Sequence, residues 1–259
     1  MEEKFLEVAK QAALEAGLLV YKHFRKKNKV QNKDNDPSNL VTEADLSAQK
    51  LIISMIDKYF PMHNIIAEEG NSKNTGSEYT WTIDPLDGTI SFVHGLPFFS
   101  VAVGLLKKNE PVVGAIYNVV NKDLYYAQIG LGAYLNGKKI HVSKIKTLED
   151  AAVILGFGSI KKRLERFEKY AKHVINKVGF PFSIGSGSTG HVYLSRGLVE
   201  ATFDIGWIWD FVAGAVIIRE AGGKITDFKG HQPDWSKDRL DILASNGLIH
   251  DQMLKAMNS

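Results

Sequence analysis

The stretch Trp81-Thr82-Ile83-Asp84-Pro85-Leu86-Asp87-Gly88-Thr89 decides the fold, because in it an apolar strand runs into two acids, a proline, a glycine and a hydroxyl. Pro85 has a fixed φ and pushes Asp84 toward extended backbone, while Gly88 tolerates positive φ, so the strand ends here in a tight turn. Both carboxylates then crowd one corner, where a shared proton or a cation relieves their repulsion. Oxygen donors without a histidine or cysteine beside them suit Mg²⁺ or Mn²⁺ rather than Zn²⁺. Asp-Pro and Asp-Gly are also ordinary turn dipeptides, so a plain surface turn is the competing reading.

An EF-hand loop is excluded, since neither the alternating acids nor the closing glutamate is present. The haloacid-dehalogenase phosphatase signature, Asp-x-Asp-Gly-Thr, uses its first acid as a covalent nucleophile. Here two residues separate the acids, which moves the second carboxylate off the face that mechanism needs. Outward from this stretch, 259 residues with 44% hydrophobic composition suffice for one large domain or two closely packed lobes. The net charge of +3 neither demands nucleic acid nor repels an anionic metabolite. Zero cysteines exclude disulfides and thiolate metal sites. No apolar signal-peptide core opens the chain and no run approaches the roughly 18 apolar residues of a membrane span, so a cytoplasmic protein with no membrane partner is expected.

Apolar residues at Phe5, Val8, Ala9, Ala12, Leu19 and Phe24 predict an opening amphipathic helix from about Glu3 to Lys27. Its basic tail, Lys22 to Lys29, reads as solvated cations complementing the helix dipole rather than as a nucleic-acid patch. Lys33 to Asn39 reads as a loop, and Leu40-Val41-Thr42-Glu43-Ala44-Asp45 opens a second helix ending near Tyr59, with Thr42 and Asp45 able to form a helix cap. Asn64 to Ala67 is a strand delivering Glu68 and Glu69 into a turn; on extended backbone at most one of the pair faces a site. A polar, mobile loop is expected from Asn71 to Glu78 and a connector from Ser91 to Pro97. Phe98–Leu106, Pro111–Val120 and Leu124–Ile129 form an antiparallel meander, and Asn136-Gly137 is a tight hairpin turn.

The pattern changes around Ser143 to Asp150, which divides an N-terminal lobe (residues 1–147) from a C-terminal one (residues 148–259). The second lobe alternates strands (Ala152–Gly156, Phe180–Ile184, Ala201–Asp204, Ile225–Asp227, Ile242–Ser245) with helices (Lys161–Val178, Gly190–Arg196, Phe211–Ala221). In Gly185-Ser186-Gly187-Ser188-Thr189-Gly190, backbone N–H groups and hydroxyls converge at a helix start, either as an anion site or as a turn with a Ser/Thr cap. Trp209-Asp210 opens an apolar helix that ends at Gly222-Gly223, with Asp210 read as a helix N-cap or as a ligand.

Taken together, Leu40-Val41-Thr42, Ala67-Glu68-Glu69, Trp81 to Thr89 with Phe92, Gly185-Ser186 and Trp209-Asp210 to Gly222-Gly223 resemble the inositol monophosphatase family in order and spacing. The resemblance implies a layered α/β sandwich in an α-β-α-β-α arrangement, with a mainly antiparallel N-terminal sheet and a mixed C-terminal sheet meeting at a metal cleft. It implies a Mg²⁺-dependent, lithium-sensitive phosphate monoester hydrolase with two ions per site, a third weaker one, and Mn²⁺ as substitute. Glu68, Asp84, Asp87, Asp210 and the Leu86 carbonyl match the metal ligands. Thr89, oriented by Asp45, matches the group that positions the attacking water beside Glu68. Asp87, Gly88, Thr89, Gly185, Ser186, Gly187 and Asp204 fall where the substrate sits, and Lys33 matches loosely a lysine of the catalytic loop.

Family members acting on inositol phosphates commonly carry glutamate at the position of Asp204 and one more residue before the Trp-Asp acid, so the hydroxyl-binding group is retracted here. The substrate is therefore inositol-1-phosphate or another small phosphorylated metabolite: the 2′-phosphate of NADP, adenosine 3′,5′-bisphosphate or fructose-1,6-bisphosphate. A homodimer is the implied assembly, and no nucleic-acid partner is expected. The rival from another class is a non-catalytic binding protein of the same fold, which loss of a matched metal ligand would mark. Every matched ligand is retained.

Overall fold

The computed structural model of the chain describes residues 2–26, 29–33, 39–158 and 160–259. Helix α1, Glu2–His23, places Phe5, Val8, Ala12 and Val20 on one buried face, and its small Ala9, Ala13 and Ala16 let it lie close on α2, Glu43–Tyr59. It ends at His23, ahead of the expected Lys27, and residues 27 and 28 of the basic run lie outside the described part. Strands β1, Val30–Asn32, and β2, Leu40–Thr42, pair antiparallel across the expected loop, whose residues 34–38 are likewise outside it.

The first large sheet has seven strands in chain order: β3 (Asn64–Ala67), β4 (Tyr79–Asp87), β5 (Ser100–Lys107), β6 (Glu110–Asn118), β7 (Asp123–Gln128), β8 (Gly132–Leu135) and β9 (Lys138–Lys139). All neighbours are antiparallel except β3 and β4. Asn136 (φ 48°) and Gly137 (φ 84°) make the predicted tight turn between β8 and β9. The expected mobile loop after Gly70 is instead tethered: Asn64 Nδ2 donates to Ser77 O at 2.8 Å and Asn64 Oδ1 accepts from Thr75 N at 2.8 Å. A short helix, α3 (Thr89–Val93), stands where a plain connector was expected, because Gly88 at φ 90° reverses the chain and its carbonyl accepts the Phe92 N–H at 3.0 Å.

The second sheet is mixed: β10 (Ala152–Leu155), β11 (Phe180–Phe182), β12 (Ala201–Trp207), β13 (Lys224–Thr226) and β14 (Arg239–Ser245), in the order β11-β10-β12-β14-β13. Between β10 and β11 the expected single helix is broken into a 3₁₀ turn (Ile160–Lys162), α4 (Arg163–Arg166), a π-helical turn (Phe167–Ala171) and α5 (Lys172–Ile175). Helices α6 (Gly187–Ser195) and α7 (Ile208–Glu220) pack together between the two sheets, α7 touching strands of both. α7 is apolar on every side and nine of its residues are buried, as a helix enclosed by two sheets must be. The layers thus run α1/α2, seven-stranded sheet, α6/α7, five-stranded sheet, then α5 with α8 (His250–Met257), as the resemblance implies. Among the described residues no helix is long and apolar enough to cross a membrane.

Helix α8, absent from the sequence reading, is anchored at its first residue. The Thr226 hydroxyl donates to Asp227 O at 2.7 Å and therefore accepts from His250 Nε2 at 2.9 Å, which leaves His250 Nδ1 to accept from the Ser245 hydroxyl at 2.8 Å. This network holds a neutral imidazole, and burial, then Lys224, lowers its pKa from 6.5 to about 4. Between those values the unfolded chain binds a proton that the folded one refuses, so this contribution to stability is full above pH 6.5 and is lost as pH falls toward 4. Urea titrations are therefore expected to show the stability gap between the parent and His250→Gln narrowing steadily from pH 7 to pH 4; a gap independent of pH would contradict the neutral assignment.

Candidate active site

The described ends of β3, β4, β10 and β12 and the first turns of α6 and α7 converge on one cavity of about 680 Å³, whose wall includes Glu68, Asp87, Asp204 and Asp210. A smaller pocket of about 160 Å³, lined by Glu68, Gly88 and Thr89 among others, adjoins it.

Asp45 sits in the first turn of α2 with no exposed surface. One oxygen, Oδ2, accepts from Thr42 N at 2.9 Å and from the Thr42 hydroxyl at 2.5 Å, while Thr42 Oγ1 accepts from Ala44 N at 3.2 Å. The capping box read in the sequence is thus present, and it leaves Oδ1 to receive Thr89 Oγ1 at 3.4 Å. Thr89 Oγ1 is also 3.0 Å from Leu86 O, so the carbonyl matched as a metal ligand shares the hydroxyl that Asp45 orients. Burial first, and the Glu68 charge after Thr42's opposing bond, push Asp45 up to about 6.

Of Glu68 and Glu69, only Glu68 lines the cavity, in keeping with the expectation that at most one of the pair faces a site. They lie in a turn rather than on extended backbone, and both reach Lys33 Nζ, Glu68 at 2.9 Å and Glu69 at 2.7 Å. Burial opposes the Lys33 ammonium, yet the two acids outweigh it and raise its pKa, while burial and Glu68 push Glu69 up to about 7. The turn is clamped by Gln49, whose Nε2 donates to Gly70 O and whose Oε1 accepts from Glu69 N, each at 2.9 Å. Gln49 was not singled out in the sequence. Its signal is a polar residue one turn beyond Asp45 on the buried face of α2.

Asp84 is 2% exposed, and its Oδ1 accepts from Leu86 N at 3.1 Å. Burial, then Glu68, Asp87 and Asp210, hold its carboxyl well above the usual range. The β4–β5 register shifts between Asp84 and Asp87, which is where the Asp-Pro-x-Asp spacing departs from strand alternation. Asp87 lies at the start of α6: Ser186 Oγ and Ser188 N donate to its Oδ2 at 2.6 Å each, and Gly187 N to its Oδ1 at 3.3 Å. Here the N–H groups of the glycine-serine turn are met by the protein's own carboxylate, and the cap reading holds, since Ser186 Oγ also accepts from Thr189 N at 3.3 Å. Burial raises Asp87, with Ser186 and Ser188 pulling against it.

Asp210 stands in the first turn of α7, its Oδ2 accepting from Trp207 N at 2.7 Å. Burial, then Glu68 and Asp87, hold it well above the usual range. A Cβ on Gly206 would collide with that same Oδ2, so only glycine leaves the carboxylate its place. Asp204 lies in the wall on β12 and accepts from Ile205 N at 2.7 Å; burial pushes it up to about 6, against the pull of that bond.

Among the described residues no three acidic or histidine side chains are already drawn into a closed ion cage. The donor chemistry nevertheless fits a hard divalent cation: Glu68, Asp84, Asp87 and Asp210 act on one another's charge in an enclosed place, with no cysteine in the chain and oxygen ligands throughout. A cation relieves the same repulsion that otherwise forces protons onto these groups.

Layers and cleft together place the chain in the layered α/β class of phosphatases. The model of the inositol monophosphatase family matches residues 1–259, and the chain belongs to that family, whose members are phosphatases. Among its relatives, the fructose-1,6-bisphosphatase/inositol-1-monophosphatase of Aquifex aeolicus is 37% identical over 255 residues, 98% of this chain and 95% of that one. Inositol monophosphatase 2 of Solanum lycopersicum is 35% identical over 99% of this chain and 98% of its own length. The crystal structure of the extragenic suppressor protein suhB of Bartonella henselae superposes with a TM-score of 0.92 at 29% identity, covering 99% of each chain.

Gly206→Ala is expected to displace the Asp210 carboxylate without unfolding the chain. Calorimetric titration of Mn²⁺ should show affinity reduced by about tenfold or more, with an unchanged far-ultraviolet circular dichroism spectrum; parental affinity would detach Asp210 from cation binding.

Proposed function

We infer that the chain hydrolyses the phosphate monoester of a small polyol, sugar or nucleotide by direct attack of water. Supporting this reading above all is the set of four acids from three separated elements, all acting on one enclosed spot beside a hydroxyl that a buried carboxylate orients. Glu68 and Asp84 with the Leu86 carbonyl would hold one Mg²⁺, and Asp84, Asp87 and Asp210 a second. When bound, such ions supply charge neutralisation for the transferring phosphoryl group and acidity for water.

The chain's own residues supply placement. Thr89 Oγ1, steered by Asp45, sets the position and direction of the water; an alcohol hydroxyl stays protonated near neutral pH and is then a poor base, so its part is orientation. Lys33 holds Glu68 and Glu69 against their own repulsion. Gly88 turns the chain so that Thr89 follows Asp87 at once. Gly185, Ser186 and Gly187 form the floor beneath the phosphate, and Asp204 meets a substrate hydroxyl. No phosphoaspartate is expected: Asp84 is enclosed, and its Oδ1 is bonded to Leu86 N.

Mg²⁺ as the working ion, a third weaker ion, inhibition by lithium, a homodimeric assembly and a cytoplasmic location belong to the same proposal and rest on membership of the family. Inositol-1-phosphate is the first substrate to test. Phosphate release is expected to require Mg²⁺ and to stop with a chelator. Asp84→Asn and Asp210→Asn should each lower kcat about a hundredfold or more, and Thr89→Ala should lower kcat while leaving KM nearly unchanged. If Asp84→Asn matches the parent on every phosphorylated substrate tried, the assignment is wrong.

A further inference from the structure

The turn after β4 and the start of α6 are in direct contact, since a Cβ on Gly88 would lie 3.0 Å from Ser186 Cβ. Behind Ser186 stand two hydroxyls that the reaction proposed above does not use. Thr189, the third residue of α6, places Oγ1 2.7 Å from Ser186 Oγ, and Ser100 Oγ lies 3.3 Å beyond it. Ser100 opens β5 and is the register partner of Asp87 across the β4–β5 ladder. The contacts therefore close a ring, from the Asp87 backbone to Ser100, through three hydroxyls, and back to the Asp87 carboxylate. Thr189 and Ser100 have no exposed surface, and Ser186 is buried. Among the described residues neither the Thr189 nor the Ser100 hydroxyl has another hydrogen-bond partner. A buried hydroxyl costs free energy that a methyl group in its place does not, so packing alone leaves both residue types unexplained.

The hydrogens along this chain have one consistent order. Ser186 carries a single hydroxyl hydrogen and stands within reach of two oxygens, Asp87 Oδ2 at 2.6 Å and Thr189 Oγ1 at 2.7 Å. An ionised carboxylate only accepts, whereas a hydroxyl does either, so the hydrogen goes to Asp87 and Thr189 donates to Ser186. That uses the one hydrogen of Thr189 Oγ1, and Ser100 must then donate to it. All three hydrogens point toward the carboxylate, an arrangement in which each bond polarises the next. The second acceptor position of Ser186 Oγ takes Thr189 N at 3.3 Å, so this hydroxyl is fully occupied and cannot rotate without losing a partner. With Ser188 N also at 2.6 Å, Oδ2 of Asp87 is committed to the helix start, while Oδ1 receives only Gly187 N at 3.3 Å. Oδ1 is the oxygen left for a cation.

We propose that Thr189 and Ser100 are positioning residues for Asp87: acting through Ser186, they lock Oδ2 to the start of α6 and so hold Oδ1 toward the cation shared with Asp84 and Asp210. This rests on the cation assignment within the phosphatase reading above. Neither residue lines the cavity, so neither meets substrate, and their effect falls on cation affinity rather than on KM for the ester. Without the Thr189 hydroxyl, Ser186 keeps its bond to Asp87 but loses the partner that fixes its rotation, and the carboxylate turns with it.

The test is calorimetric titration of Mn²⁺ into the parent, Thr189→Val, Thr189→Ser, Ser186→Ala and the double variant Ser186→Ala, Thr189→Val, each checked for folding by far-ultraviolet circular dichroism. Thr189→Val should weaken Mn²⁺ binding by about tenfold or more, and Thr189→Ser, which keeps the hydroxyl, should restore it. In the Ser186→Ala background the same valine should cost less than about twofold, because the route to Asp87 is already cut. Turnover gives a second readout: the Mg²⁺ concentration for half-maximal rate should rise in Thr189→Val by about tenfold or more, with KM for the ester at saturating Mg²⁺ nearly unchanged. If the valine does not fold, Ser100→Ala decides, with a loss of Mn²⁺ affinity of about threefold or more that vanishes when Ser186 is alanine. Parental Mn²⁺ affinity in folded Thr189→Val, or in Ser100→Ala where that variant decides, overturns the positioning role, as does an undiminished loss in the Ser186→Ala background; phosphatase turnover that persists then leaves the functional reading standing. Thr189-dependent Mn²⁺ binding with no phosphate released from any ester keeps the positioning role and overturns the phosphatase reading. A parent that binds no Mn²⁺ overturns both.

Discussion

Mutual repulsion among carboxylates in one enclosed place is the constraint on which the rest of the structure depends. Asp84 is raised by burial and by three other acids, Glu68, Asp87 and Asp210. Such a cluster is costly, and it persists only where surrounding structure over-determines each member. That is what the local contacts do. Lys33 ties Glu68 and Glu69, the start of α6 holds Asp87, the Trp207 N–H holds Asp210, and Thr42 holds Asp45. Each acid reaches the cavity from a short, stiff attachment at the end of a strand or the first turn of a helix, and none hangs from a long loop.

The layering explains how elements so distant in sequence can meet. α7 is enclosed by the two sheets, and its apolar surface allows it to pack against strands of both. Its first turn therefore carries Asp210 to the place where β4 of the seven-stranded sheet delivers Asp84 and Asp87. α6, its partner in the same layer, brings Ser186 and Ser188 to Asp87. The central helical layer thus both fills the core and closes the site, so the packing that stabilises the fold is also what assembles the chemistry.

The cavity that results carries opposite charge at its two ends. Acids gather where the helix starts and the strand bulge meet, and guanidiniums lie where β12 ends and β14 begins, with Asp204 between them. In a confined space of low dielectric such an arrangement orients a charged ligand before any specific contact forms.

Much of this was legible in the chain itself. Asp84-Pro85-Leu86-Asp87-Gly88-Thr89 carried its turn, its positive φ and its paired acids in residue types alone, since proline and glycine act on their own backbone. Thr42 and Asp45 announced a cap because that bond closes within four residues. The alternation and turn residues of the meander likewise predicted the antiparallel strands, because hairpin pairing is local. What folding in three dimensions decided was everything that joins distant segments. Glu68 and Glu69 share Lys33, the glycine-serine turn spends its N–H groups on Asp87, Gln49 clamps the acidic turn, and Arg239 lies against Trp207. None of these has a signature in spacing, because the partners lie 20 to 101 residues apart in the chain or on neighbouring strands whose register the tertiary fold alone sets. Helix α8 escaped for the same reason: what holds it is His250 between two hydroxyls from strands on either side of a loop.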